Sequence, residues 1–253
     1  MSPGGRFGLV VVTALVVVAL LAPLLALHDP GKISLGESLR GPSLDHPFGV
    51  DRLGRDVCSR LLHGSRVSLA VAVPTVGLSL LAGTLIGLLA GMSGGWIDEI
   101  LMRLVDVLLA FPGILLAIAM SAVLGPSLVN VVIALSLIGW TGYARLVRAE
   151  TLSLRARPHV EAARAIGASE LRIVALHVLP LLAAPLAVQA TFGFAGAIVA
   201  ESSLSFLGLG AQPPTPSWGS MLNDGRGFLL VAPHVAIFPG LAIFVTVLGI
   251  NFL

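Results

Sequence analysis

Charged residues are scarce in this 253-residue sequence, where Asp, Glu, Lys and Arg together make up only 11%. An average soluble domain holds about 25% charged residues. Hydrophobic residues reach 56% instead, and the mean hydropathy is +0.99. Because a soluble fold could not bury this much apolar surface, we predict an all-α integral membrane protein without a soluble domain.

Cysteine is almost absent. Cys58 is the only one, which excludes an internal disulfide, and no Cys/His spacing indicates zinc or a redox pair. The phosphate-binding pattern G-x-x-x-x-G-K-[ST] is missing as well, so we expect no ATP, metal or other cofactor on this chain. The formal net charge is only +2, and the basic residues flank apolar spans, which argues against a nucleic-acid partner.

Long uncharged runs take the place of charge. A helix needs about 20 residues to cross a bilayer. By this criterion we predict six transmembrane helices, within 7–27, 67–97, 107–144 (two helices, with Gly125-Pro126-Ser127 as their turn), 173–200 and 233–253. The first is interpreted as a retained signal anchor. Residues 1–66 would then form this anchor and the first outer loop, and residues 67–253 a core domain of five helices.

The charged residues of the loops give a weak indication that the N-terminus is cytoplasmic. The segment 145–172 carries six arginines and three acids, whereas the first loop carries six bases and five acids. Eight basic residues on the proposed inner side against seven on the outer side decide nothing under the positive-inside rule. The smaller share of acids in 145–172 alone tilts weakly towards a cytoplasmic 145–172 and an outer first loop.

Several polar or small residues stand out within the spans. Gly83, Gly87 and Gly91 recur every fourth residue, which predicts a face for close helix packing. Arg103 and Asp106 are three apart on one helix and are predicted to pair, as a structural pair near the inner interface rather than a gate. For Glu201, at the outer end of the fifth helix, two interpretations stay open: it faces a path through the protein, or it lies in the headgroup region.

A polar segment interrupts the apolar runs at residues 157–180, which we name the coupling loop. It contains Glu161-Ala162-Ala163, then Gly167, then Leu179-Pro180. Alanines give a narrow, strongly helical surface, and a left-handed glycine can end a helix. The pattern predicts one helix near 160–167 and a second near 168–179.

This pattern resembles the cytoplasmic EAA loop of the permease subunits of ABC importers, with His177 where that family usually has isoleucine. The resemblance implies that the loop docks into a groove on a separate ATPase subunit. The residues expected to carry this coupling are Arg157, Glu161, Ala162, Ala163 and Gly167.

Further blocks, 46–66, 102–112 and 201–219, resemble dipeptide- and oligopeptide-type permeases. These permeases work as pairs of different subunits, and the resemblance is to the second subunit of the pair. Such members usually continue past the last helix, so we expect a C-terminal tail to be missing. The resemblance implies a second permease, two ABC ATPases and an external solute-binding protein as partners, in the inner membrane of a bacterium. It also implies that the chain is not an enzyme and forms half of a path for short peptides, with nickel or a glutathione-like solute as the alternative cargo.

Two other classes of protein stay open. A secondary transporter or channel should show inverted repeats or buried mid-span charges, and the sequence shows neither. Gly91-Met92-Ser93-Gly94 matches the nucleophile signature of rhomboid-type intramembrane proteases, but that enzyme needs a histidine base within a later helix. The histidines are instead expected in loops or at a helix edge, which favours a glycine-rich turn.

Overall fold

The computed structural model describes residues 3–253, and they fold into helices, turns and loops. The prediction of an all-α membrane protein is confirmed. The helices are α1 (Pro3–Leu25), α2 (Val57–Ser93), α3 (Gly95–Leu109), α4 (Gly113–Leu124), α5 (Leu128–Arg155), α6 (Pro158–Ala165), α7 (Glu170–Ile173), α8 (Leu179–Phe206), α9 (Trp218–Gly225) and α10 (His234–Asn251). Short 3₁₀ turns cover Leu35–Glu37 and Arg226–Phe228, and a π turn covers Val174–Val178.

Five helical segments within residues 3–253 are long and apolar enough to cross a membrane: α1, α2, α5, α10 and the run from α7 to the end of α8. The third predicted span is not one straight helix. It is the pair α3 and α4, bent by 82°, so the structure reaches six spans only if this pair counts as one. Pro112 explains the break, because proline donates no backbone hydrogen bond and clashes with the preceding helical turn.

The second span is also displaced from its predicted bounds. Helix α2 begins at Val57 instead of residue 67, because charged residues at its start are paired inside the protein. Arg60 is only 3% exposed and lies 3.6 Å from the carboxylate of Asp51. The helix ends at Ser93, where Gly94 and Gly95 adopt φ of +63° and +57° that break it.

The chain divides into two compact units. One unit joins the chain up to Pro74 with Ala117–Ala134 and Phe194–Leu253. In it, the backbones of α1 and α10 approach closely: a Cβ added to Gly8 would lie 2.6 Å from the carbonyl oxygen of Gly249. Helix α9 is tied to the start of α2 by Trp218, whose Nε1 donates to the carbonyl of Leu61 at 2.9 Å.

Ion pairs also stabilise this first unit. The guanidinium of Arg55 donates to Asp51 at 2.6 Å and to Asp224 at 3.0 Å. Arg52 reaches the same Asp224 at 3.2 Å. Because Arg55 and Asp51 are both buried, loss of either partner would leave an unpaired charge inside the protein. The loop before α2 is therefore held to α9 by a charge network.

The other unit consists of Thr75–Leu116 and Leu135–Gly193. It contains most of α2 and α5, all of α3, and the coupling loop with the start of α8. Its core runs from α5 through the coupling loop into α8 and consists of Tyr143, Val147, Leu154, Val160, Ala163, Ile173, Val178, Leu182 and Leu186. The coupling loop is thus packed as part of a helical core.

The predicted orientation has a direct test. In a Cys58→Ser background, a single cysteine at position 157 should be labelled only from the cytoplasmic side, and one at position 44 only from outside. Both positions are exposed to a reagent: Arg157 lies in the coupling loop, and Leu44 is fully exposed in the first loop. Labelling of position 157 by an impermeant maleimide in intact cells would show the orientation to be reversed.

Candidate functional site

Helix α6 begins with a proline in its first turn. Pro158 suits this position because its missing N–H has no partner in a first turn anyway. The residue before it, Arg157, is extended with φ −80° and ψ 145°, as expected before proline. Glu161 lies in the first turn and Arg164 in the last, where each charge complements the helix dipole.

The end of α6 is a left-handed glycine turn, as predicted. Gly167 has φ +86°, and its N–H donates to the carbonyl of Arg164 at 3.0 Å. The next N–H, of Ala168, reaches back to the carbonyl of Ala163 at 3.1 Å. These two bonds form a Schellman motif, which satisfies the last carbonyls of the helix. A glycine here avoids the strain that a Cβ would introduce.

The two alanines of the motif have different surroundings. Ala163 is 7% exposed and packs in the core with Val160, which is fully buried. Ala162, by contrast, is exposed, as are Arg157, Glu161 and Gly167. Ala163 therefore fixes α6 to its own chain, which corrects its predicted place in the docking surface. The exposed members of the predicted set remain accessible to a partner.

Two large apolar residues of the coupling loop are absent from the set predicted to carry the coupling. Ile166 is 87% exposed and Leu171 is 84% exposed, both on a loop predicted to lie outside the bilayer. Exposed apolar side chains on a polar loop are typical of a protein interaction site. Ile166 directly precedes the helix-ending Gly167, and Leu171 follows it by four residues. Hydropathy alone does not tell whether such side chains contact water, lipid or another protein.

The second helix of the coupling loop is shorter than predicted. Helix α7 covers only Glu170–Ile173 and continues through the π turn Val174–Val178 into α8. Pro180 provides the reason: it has no N–H for the carbonyl of Leu176, so the regular α-helical bond is missing there. His177 lies in this π turn, its ring 6.2 Å from that of His159.

An ion pair closes the coupling loop. The guanidinium of Arg164 donates to both carboxylate oxygens of Glu170, at 2.9 and 3.1 Å. Ser169 caps α7, accepting from the N–H of Arg172. Both ionised partners are exposed, so the pair contributes geometry more than stability. It links α6 to α7 across the Gly167 turn.

Arginines of α5 connect it to α3 and to the end of α2. Arg148 donates twice to Asp98, at 3.0 and 2.6 Å, and Arg155 donates to the carbonyl of Gly91 at 2.9 Å. Asp106 accepts from Arg145 at 2.6 Å, instead of from Arg103 as predicted. Arg145 reaches Asp106 from the neighbouring helix α5.

The glycine stripe of α2 lies against α5. A Cβ on Gly83 would be 2.5 Å from the carbonyl oxygen of Trp140, and one on Gly87 would be 2.6 Å from that of Ala144. On Gly91 it would be 2.7 Å from the Cβ of Thr151. Each distance is shorter than a real Cβ contact, so the two helix backbones touch along three successive turns.

Glu201 is fully buried within its unit. Its carboxylate accepts from the hydroxyl of Ser205 at 2.7 Å, and the hydroxyl of Ser202 lies 3.5 Å from its other oxygen. Ser205 in turn accepts from the N–H of Ala211 at 3.1 Å. The chain itself encloses this acid, so its carboxylate does not face an open path, and a position at headgroup depth stays a prediction. It fastens the end of α8 to the loop that follows.

Comparison with known proteins identifies the family. Residues 83–253 match the family described as "Binding-protein-dependent transport system inner membrane component". The dipeptide transport system permease protein of Alkalihalophilus pseudofirmus is 46% identical over 96% of this chain and 80% of that protein. The glutathione transport system permease protein of Escherichia coli O157:H7 is 51% identical over 96% of this chain and 80% of its own length.

A solved structure supports the fold. The MetNI methionine ABC transporter in its inward-facing conformation superposes with a TM-score of 0.61 at 20% sequence identity, covering 76% of this chain and 91% of the compared chain. Both named relatives are transport permeases, which favours an importer over the intramembrane protease and over the secondary transporter or channel. The chain belongs to the family of binding-protein-dependent transport system inner membrane components, and it is a multi-pass permease of an ABC importer.

Proposed function

We propose that this permease forms half of a translocation path for short peptides. The supporting observation is the identity of 46% to a dipeptide permease and 51% to a glutathione permease, each over 96% of this chain. Glutathione is itself a tripeptide with one unusual linkage, so the two cargoes share peptide amides, free carboxylates and an amino group. A second permease, two ABC ATPases and an external solute-binding protein complete the proposed transporter.

The coupling loop is the proposed docking site for an ATPase subunit, which would also supply the ATP site. Its exposed residues include Glu161 with its carboxylate, the small Ala162 and the apolar Ile166 and Leu171. A small helix surface beside two apolar side chains fits a groove with an apolar floor. Arg157 would border this contact at the start of α6.

The coupling loop is built to move as one piece with the helices it joins. Val160 and Ala163 pack in the core that continues into α8. The Gly167 turn and the ion pair between Arg164 and Glu170 fix the two short helices to each other. When the ATPases close, a rigid loop would pass the displacement to α5 and α8. These helices would then switch the path between inward and outward access.

The cargo assignment predicts a specific pattern of uptake. Cells that carry this gene should import labelled di- and tripeptides, and deletion of the gene should reduce that uptake to the level of passive entry. Labelled glutathione is the second cargo to compare, because a glutathione permease is among the relatives. Restoration by the plasmid-borne gene is the control. If deletion abolished uptake of labelled nickel and left peptide and glutathione uptake intact, the peptide assignment would be wrong.

A further inference from the structure

Three potential metal ligands meet in the first unit, away from the coupling loop in sequence. His28, His46 and Asp56 each offer one ligand atom, and these atoms all lie within 4.8 Å of one another. The Nδ1 of His46 is 2.9 Å from Oδ1 of Asp56, and the Nδ1 of His28 is 4.0 Å from the same oxygen. The two imidazole rings are in contact, with centroids 4.5 Å apart and planes tilted by 31°.

One of these atoms has no hydrogen-bonding partner in the structure. The Nδ1 of His28 is buried from solvent and makes no hydrogen bond. A buried polar nitrogen that lacks a partner costs free energy. It points towards the carboxylate of Asp56, which is itself only 2% exposed. An electron-pair acceptor between the three residues would satisfy this nitrogen.

The surrounding residues hold the ligands in suitable orientations. Oε2 of Glu37 lies 3.6 Å from Nε2 of His46, the ring nitrogen that faces away from Asp56. Because a carboxylate only accepts, the 2.9 Å contact with Asp56 is a hydrogen bond from Nδ1–H of His46, and a metal ion would take the place of that proton. The carboxylate of Glu37 is close enough to Nε2 to orient the ring once the proton lies there. Oδ2 of Asp56 accepts from the N–H of Ser59 at 2.7 Å, which leaves Oδ1 directed at the histidines.

We propose that His28 Nδ1, His46 Nδ1 and Asp56 Oδ1 form a binding site for a divalent transition-metal ion, with zinc the best match. Two imidazoles and one carboxylate are a ligand set typical of zinc, and a water completes the tetrahedron. Metal–ligand bonds of about 2.0–2.2 Å place tetrahedral ligands roughly 3.4 Å apart. The distance of 4.0 Å between His28 and Asp56 needs only a small closure. His28 can make this shift because its side chain is one-third exposed.

The ion would act as a cross-link. His28 follows α1, His46 lies in the loop, and Asp56 immediately precedes α2. A metal bound to all three would fasten the chain between α1 and α2 at three points. No pattern in the sequence indicates the site, because its ligands are separated by 18 and 10 residues. Such spacing matches no compact metal-binding pattern.

The test measures zinc on the purified transporter, stripped with EDTA and dialysed against ZnCl₂. We expect one zinc per copy of this subunit. The His28→Phe variant keeps a ring to stack on His46 but offers no nitrogen, and it should lose this zinc. Asp56→Asn should lose it too, although asparagine still caps α2. Glu37→Gln should retain the site with an affinity about 10- to 100-fold weaker.

The matched control is His63→Gln, which removes a histidine of α2 outside the cluster and should bind zinc as the unaltered protein does. Melting in EDTA checks that all variants fold alike. Zinc should raise the melting temperature of the unaltered protein and leave that of His28→Phe unchanged. Equal zinc content in the unaltered protein and His28→Phe, or no zinc in either, would overturn the proposal. Because no step of the test requires transport, its outcome is independent of the peptide assignment.

Discussion

Replacing Gly167 by proline should abolish transport while leaving the subunit inserted in the membrane. Gly167 has φ +86°, whereas proline is fixed near −65°, and the substitution also removes the N–H that donates to Arg164. Proline in an incompatible backbone costs about 3 kcal/mol or more, a factor above 100 in the population of the native turn. The coupling loop would then present α6 at a wrong angle.

Glu161→Lys tests the same surface without disturbing the backbone. Glu161 is exposed in the first turn of α6, so a lysine there folds but places a positive charge in the proposed contact and at the positive end of the helix. Pull-down of the ATPase subunits with each variant, together with peptide uptake, is the measurement. In both variants, the amount of ATPase that is pulled down and the peptide uptake should fall to the level of cells that lack the gene.

Two controls accompany these variants. Asp45→Lys makes the same charge change at an exposed carboxylate of the first loop and should leave transport unchanged. Gly125→Ala places a Cβ at another left-handed glycine, with open space around it. It should leave ATPase binding and peptide uptake nearly unchanged. Undiminished ATPase binding together with full transport in Gly167→Pro and Glu161→Lys would remove the coupling assignment from this loop.

Hydropathy predicted the membrane class and most spans because a bilayer imposes one simple demand, an uncharged run of sufficient length. It failed where charges are paired inside the protein. Arg55 and Arg60 count as polar in a sequence window, yet both are buried and paired with Asp51, so α2 begins ten residues earlier than predicted. It also failed at Pro112, since composition does not give the angle of a break.

The coupling loop shows a second limit of sequence reasoning. The left-handed Gly167 was predictable because a helix end is a local event, decided by one residue without a Cβ. The side of α6 that faces its own chain was not, because adjacent residues such as Ala162 and Ala163 point about 100° apart on a helix. Only the core formed by α5 and α8 decides that Ala163 turns inward.

Partners distant in sequence were the hardest to predict. The nearest candidate for Asp106 along the chain is Arg103, but α5 brings Arg145 within 2.6 Å. The cluster of His28 with His46 and Asp56 arises in the same way, from a loop that folds back on the start of α2. A local pattern selects residues that suit a role, and the fold decides which of them meet.

Replacing Gly87 by leucine should prevent correct assembly of the permease. A Cβ at this position would lie 2.6 Å from the carbonyl oxygen of Ala144 and 2.7 Å from the Cβ of Val147, both on α5. Backbone and Cβ atoms cannot move aside as the end of a flexible side chain can. Small residues are what allow helices to approach this closely in a membrane. Overpacking typically costs about 1–3 kcal/mol, and a leucine against a backbone carbonyl belongs at the upper end.

The measurement is the yield of assembled transporter and its melting temperature in detergent, for a graded series at two glycines of α2. Gly87→Ala should lower the melting temperature and Gly87→Leu should lower it further, because even a Cβ collides there. Gly77→Leu is the matched control: it lies on the same helix with nothing within 4 Å of an added Cβ, so both quantities should stay unchanged.

If Gly87→Leu matched Gly77→Leu in yield and stability, the packing of α2 on α5 through its glycine stripe would be refuted. If only Gly87→Leu failed, the three-turn contact from Gly83 to Gly91 would be what joins these helices. Movement of the coupling loop at the end of α5 would then be transmitted directly to α2.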